Sequence, residues 1–326
     1  MKNVQVIVSA LGLAGIALLV FLLVHEGAGE VGLAIARVGW GLAVLALFHL
    51  FQTLSDSAGW LLLIPKTNRI RLIRSFFLHW MGESINNLLP TARVGGDIVI
   101  ARLAAMWGMP LKIATAAIVV DVTIGIVTKV FYLVTACLLL IVSTGRADLT
   151  RPAIVAVATG TLAVTGFYAV QRAGIFKWTA MLASRLAKSP VWASLVQGGE
   201  AVDQAIRLLY ARRRGIAGCA LFWITSWLIA SGEIWIALRA LGVRSSFVSA
   251  VILETASLTI RGAAFLVPGA IGVQEGGFIL LGNLLGISGE TALALSLLRR
   301  VRELATGVPG LIAWQLLEAG RVWRTR

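Results

Sequence analysis

Apolar residues along this chain come in long runs rather than alternating as in a half-buried strand or forming the single stripe of a soluble helix. The run Val4–Val24 is too long for the core of a signal peptide and is followed by no A-x-A cleavage site, so it reads as an uncleaved anchor. Comparable runs at Trp40–Ile64, Lys112–Ser143, Pro152–Gln171, Ile216–Leu238 and Glu290–Leu317 predict five more crossings. Two further apolar regions are interrupted. Residues 75–111 contain Pro90, Gly95, Gly96 and Gly108; residues 246–286 contain Gly262, Pro268, Gly269, Gly272, Gly276 and Gly277. Proline lacks the helical N–H and glycine is a weak helix former, so each region predicts a broken hairpin that enters and leaves by one face. The pattern therefore predicts an all-α polytopic membrane protein with about six full transmembrane helices and two broken re-entrant hairpins. It forms a single integral membrane domain, 1–326.

Composition agrees and excludes other classes. Of 326 residues 58% are hydrophobic and 13% charged, against roughly 25% charged in a soluble domain, and the mean hydropathy is +0.89. A water-soluble globule, a disordered chain and a disulfide-stapled secreted domain are all excluded. The net charge of +14 comes mostly from short loops. Lys66, Arg69, Arg71 and Arg74 follow the second run, residues 172–214 are basic and amphipathic (Phe176–Leu186 for example), and Arg321, Arg324 and Arg326 close the chain. The positive-inside rule places all three at the cytoplasmic face of the membrane, with both termini inside. The basicity is thus topological, and no nucleic-acid partner is expected. Cys137 and Cys219 lie in apolar runs, and His25, His49 and His79 have no metal-ligand spacing, so neither a metal nor a cofactor is expected. There is no G-x-S-x-G, Walker or HExxH motif, and the chain is not expected to be an enzyme.

Sliding the chain on itself by 178 residues aligns Leu88 with Leu266, Pro90 with Pro268, Ala92 with Ala270, Asp97 with Glu275, Leu103 with Leu281, Gly108 with Gly286, Ala114 with Ala292 and Ala116 with Ala294. The offset predicts two repeats, about 40–143 and 216–317, each a span, a broken hairpin and a span. Three crossings separate the hairpins, so the copies have opposite topology, as in many secondary transporters. On the plainer alternative, Pro and Gly merely kink two ordinary helix pairs.

Charges in apolar surroundings mark the candidate site. Asp56, Glu83, Asp97, Asp121, Glu233, Glu254, Glu275 and Glu303, with Arg93, Lys129, Arg261, Arg299, Arg300 and Arg302, must pair or line a wet cavity, since each costs ~2.5–3.5 kcal/mol at a helix centre in lipid. They could serve only to neutralise one another. The clusters point further. Asn86, Asn87, Pro90, Arg93, Gly96 and Asp97 surround the first break, and Pro268, Gly272, Gln274 and Glu275 the second. Broken helices expose backbone groups that, with such side chains, can hold a polar or anionic head group. Arg299, Arg302 and Glu303 share one face of the last span, and Asp121 stands where the offset places Arg299. Asp97, Asp121, Glu275 and Glu303 are the acids expected to pair with the two arginines, leaving surplus positive charge for an anionic head group. Gly95, Gly96, Gly272 and Gly276 are expected where backbone approaches backbone or ligand.

Two blocks carry a family likeness. ESINNLLPTARVGGD with ARLAAMWGMP, within Trp80–Asp121, and RGAAFLVPGAIGVQEGGFILLG with ALALSLLRRVREL and VPGLIAWQ, within Glu254–Gln315, resemble the lysylphosphatidylglycerol synthase transmembrane, or flippase-like, family. Their closest likeness is to its hopanoid-biosynthesis-associated HpnL branch. The resemblance implies a lipid translocase linked to hopanoid biosynthesis, with membrane lipids as partners and hopanoid-pathway enzymes as further candidates. Larger relatives carry a separate soluble synthase domain. This sequence runs only nine residues past the last span, so synthase activity is not expected. Many relatives have an Arg three residues after the first acid, where this chain has Ile100 with Arg102 nearby, which leaves the head group open. The alternatives are a membrane enzyme using Asp97 or Glu275 as general base, and a non-transporting scaffold.

Overall fold

The computed structural model describes residues 38–89, 94–172, 191–263, 270 and 272–324, with Val24, Leu33 and Ala36 as isolated positions. The expected first crossing, apart from Val24, and the segment 173–190 that includes Phe176–Leu186 lie outside the described residues, as do Pro90, Arg93 and Pro268.

Among the described residues every regular element is helical. The interrupted region around the first break forms α2 (Leu72–Leu88) and α3 (Gly95–Met106), and that around the second forms α8 (Phe247–Ala263) and α9 (Val273–Leu284). The continuous apolar runs form α1 (Gly41–Leu63), α4 (Leu111–Thr144), α5 (Thr150–Arg172), α7 (Arg213–Ala240) and α10 (Gly289–Arg324). The basic amphipathic segment contributes α6 (Val191–Ala211). By length and apolarity alone, α4 and α7 qualify as membrane spans. The six crossings expected are therefore not all met on that criterion. α10 carries Arg299, Arg300, Arg302 and Glu303 in mid-helix, and α1 carries His49, Gln52 and Asp56, which lowers their hydropathy.

The helix ends follow from local chemistry. After α3, Gly108 has φ +97°, the Met109 N–H reaches back to the Ala104 carbonyl at 3.1 Å, and the Gly108 N–H reaches that of Ala105. After α9, Gly286 has φ +75°, the Ile287 N–H reaches the Gly282 carbonyl at 2.8 Å, and the Gly286 N–H that of Asn283. Both are left-handed glycine caps that satisfy the last free carbonyls, and they lie 178 residues apart.

Packing obeys the same offset. α1 lies along α7, which corresponds to it. α2 packs on α10 and α8 on α4; α3 packs on α2 and α4, and α9 on α8 and α10. Small residues bring the central pair close: Gly59 faces Phe222 and the Cys219 backbone, while Gly215 meets the Leu62 carbonyl. The Ser55 hydroxyl donates to the Phe222 carbonyl at 2.9 Å.

At the first hairpin, a Cβ on Gly96 would overlap the Gly82 carbonyl, so α2 and α3 can cross only with glycine there. Gly272 adopts φ +78° at the second break, next to Ala270 at φ +49°, a conformation uncommon for a residue with a Cβ. Gly276 does not have the expected role: nothing lies within 4 Å of a Cβ built on it. It is Gly277 that faces a neighbour, the side chain of Ile260.

The faces are inverted relative to a soluble bundle. Val44, Leu47, Phe51 and Leu54 form an exposed strip on α1, and Val301, Leu304, Val308 and Ile312 form one on α10. Gln274, Glu275, Glu254, Arg302 and Glu233 are buried. Apolar side chains on the outer faces, with ionisable ones buried among the apolar core, suit lipid as the solvent.

Candidate functional site

One helix face organises the site. On α1, His49, Gln52, Thr53, Asp56 and Trp60 recur at helical spacing and line a cavity of about 360 Å³. α2 contributes Glu83, Asn86 and Asn87, α3 Asp97, α4 Asp121 and Lys129, α8 Glu254 and Arg261, and α10 Arg299, Arg302 and Glu303. Trp223 and Trp227 of α7 close one side. The volume falls in the range of small-molecule pockets, but the wall is far more polar than usual.

Each half holds its charges differently. In the second half they are locked. Arg299 Nη1 and Nη2 donate to Glu254 at 2.6 and 3.4 Å, and Arg302 Nε donates to Glu233 at 2.8 Å. Arg261 donates to both Gln274 and Glu303. Glu275 accepts from Arg300 Nε at 2.5 Å, from Ser296 at 3.3 Å and from the Gly272 N–H at 2.7 Å. The last bond caps the start of α9, where a carboxylate also meets the positive end of the helix dipole. Gln274 and Glu275 are therefore fully buried behind the wall rather than on it.

In the first half the corresponding acid is left on the wall. The N-terminal N–H of Gly96 is taken by Asn86 Oδ1 at 2.8 Å. Asn86 Nδ2 lies 3.5 Å from Asp97 Oδ1. Asp121 Oδ1 accepts from Trp223 Nε1 at 3.0 Å and Cys219 Sγ at 3.2 Å. Asp56 Oδ1 is buried with no hydrogen-bond partner among the described residues. Between the halves, His49 faces Glu83 at 2.9 Å and Glu233 at 3.2 Å, and Glu83 also accepts from Thr53 and Asn87.

The cavity brings together Asn86, Asn87, Asp97, Asp121, Arg299, Arg302 and Glu303 of the residues singled out in the sequence. Gly96, Gly272, Gln274 and Glu275 stand behind it, shaping the breaks. Two expectations are corrected. The acids bound to Arg299 and Arg302 are Glu254 and Glu233, not Asp97, Asp121, Glu275 or Glu303, because the guanidinium groups reach across to carboxylates on α8 and α7. Among the described residues the wall also has no surplus of positive charge. Six carboxyl groups (Asp56, Glu83, Asp97, Asp121, Glu254, Glu303) face four cations (Lys129, Arg261, Arg299, Arg302).

Sequence reasoning singles out neither His49 nor Gln52 and Thr53 as site residues. The signal was available: polar side chains at 49, 52, 53 and 56 within an otherwise apolar run mark one helix face. No group of His, Cys, Asp and Glu among the described residues is arranged to hold a metal ion.

A membrane fold with a charged cavity between its halves defines the class, and comparison with known proteins defines the family. The family described as "Lysylphosphatidylglycerol synthase TM region" matches residues 6–310, and the chain belongs to it. No curated protein and no solved structure gives a significant match.

Proposed function

We propose that this protein is a lipid translocase that takes a polar head group into the cavity between two inverted repeats. The observation that carries the reading is the charge-lined cavity of about 360 Å³, enclosed by apolar outer faces, in a member of a lipid-related membrane family. A head group can occupy such a space while acyl chains stay against the apolar exterior. The packing scheme, in which contacts of α1–α4 recur in α7–α10, and the matched glycine caps at 108 and 286 support the repeat.

The charge balance refines the ligand. With carboxyl groups in excess, a head group bearing hydroxyl or ammonium donors fits the wall of the first half, and a phosphate fits the arginine side. The hopanoid link, and hopanoid-pathway enzymes as partners, rest on the likeness of the two motif blocks alone. The bacterial inner-membrane location rests on the family likeness, and the orientation with both termini inside rests on the basic loops.

For the enzyme reading, with Asp97 or Glu275 as general base, Asp97 lines the cavity and Glu275 does not. The thiol of Cys219 sits beside Asp121, but it is fully buried and does not line the wall. A pure scaffold gives no reason for a cavity lined by charged side chains from six helices.

The test is the lipid profile of the purified full chain against that of the bulk membrane. Enrichment of one polar lipid class, reduced in Arg302→Lys, is the expected result. A profile identical to the bulk membrane would sink the reading.

A further inference from the structure

Both ring nitrogens of His49 face carboxylate oxygens: Nδ1 lies 3.2 Å from Glu233 Oε2 and Nε2 lies 2.9 Å from Glu83 Oε1. The residue is 3% exposed. An ionised carboxylate only accepts, and a neutral imidazole carries a single N–H. Two hydrogen bonds in this geometry therefore need one proton more than a neutral ring and two carboxylates hold together. Exchanging tautomers does not help, because the other nitrogen then turns its lone pair to a carboxylate. The three groups form a built site for one exchangeable proton.

Its position links the two halves. His49 comes from α1, Glu83 from α2 and Glu233 from α7, where the central helices lie along one another. The charged groups facing the ring are Asp56 on its own helix, Glu83 on α2, Glu233 on α7 and Arg302 on α10; on α4, Asp121 faces Asp56. His49, Glu83 and Arg302 also line the cavity, so a head group bound there changes the field at the proton. Loss of the proton leaves a lone pair against a carboxylate and breaks one of the two bonds that tie the halves.

We infer that His49, Glu83 and Glu233 form the proton site through which lipid movement is coupled to the transmembrane proton gradient, an inference that rests on the translocase reading. The proton is taken from water on one side and released to water on the other. An N–H or O–H bond of the triad forms and breaks, and the electron pair stays on the triad.

The test uses the full chain in phosphatidylethanolamine/phosphatidylglycerol vesicles containing fluorescent NBD-phosphatidylethanolamine. Dithionite reports the outer-leaflet fraction and internal pyranine the proton movement. With one proton per lipid, a gradient of one pH unit should shift the leaflet ratio about tenfold, and a protonophore should abolish the shift. His49→Gln and His49→Lys should lose the response to the gradient, whatever rate of movement each retains. Lipid movement in the wild type that ignores the gradient and moves no protons overturns the inference and leaves the translocase reading standing. A retained response in His49→Lys also overturns it. Absence of any lipid movement sinks both. The wild-type pyranine signal decides the matter even if the variants do not fold.

Discussion

Arg302 donates to Glu233, and Glu233 also faces His49, so removing the guanidinium leaves a buried carboxylate with less compensation. Breaking such a pair costs ~3–5 kcal/mol. Arg302→Ala should therefore unfold well below the wild type in a detergent melting experiment. Arg302→Lys keeps the charge but loses the planar fork, so it should melt nearer the wild type while losing lipid enrichment. Equal melting of Arg302→Ala and wild type would contradict this account. Asp121 is a different case, since its described partners are Trp223 and Cys219 and neither is a cation. Asp121→Asn preserves an acceptor for both. Its melting point should stay close to wild type, within about 1 kcal/mol, while lipid retention falls. A large stability loss without a binding change would show that the acid is structural. At this scale the sequence is informative about which charges matter and poor at pairing them. Arg299 and Arg302 are legible because they share a face with Glu303. Their partners Glu254 and Glu233 lie 45 and 69 residues away, and helix packing alone decides that they meet.

At the scale of elements, the two hairpins differ in how they tolerate side chains. The Gly82–Gly96 crossing of α2 and α3 leaves no room for a Cβ, so Gly96→Ala should cost ~1–3 kcal/mol through overpacking and backbone shift. Gly276 lies in open space within α9, so Gly276→Ala should be neutral or stabilise by up to ~1 kcal/mol through helix propensity. Thermal melting of both variants checks the pair, and the reverse order would refute the packing described. The breaks themselves are legible from Pro90, Pro268 and the glycine clusters, and α2/α3 and α8/α9 form where those breaks predict. Which glycine carries the close approach is not legible, because Gly276 and Gly277 differ only in which side of α9 they occupy.

For the whole molecule, the apolar outer faces explain why the chain suits lipid as solvent, and the paired charges within explain how they are kept inside. The proposed inverted repeat makes a topological prediction. Lys112 and Glu290 are equivalent under the offset, each just after a glycine cap. Cysteines placed there should react with a membrane-impermeant maleimide from opposite sides, position 112 from the cytoplasm and position 290 from outside. Labelling of both from one side would leave only two kinked helix pairs. The all-helical architecture is legible because hydropathy runs and breakers are local properties. The charge balance of the cavity is not, since it depends on which of fourteen scattered ionisable side chains are turned inward, as Asp97 is, and which are held behind the wall, as Glu275 is.

The central claim is that a lipid head group occupies the cavity between the halves. Ile118 and Leu258 are apolar positions on its wall, on α4 and α8. A photo-crosslinking amino acid at either position, activated in intact membranes and followed by mass spectrometry of the adduct, tests the claim most directly. The account predicts a polar lipid crosslinked at both positions, with the adduct reduced by Arg302→Lys. Adducts only to protein, or none where an exposed position such as Leu47 readily captures lipid, would contradict it.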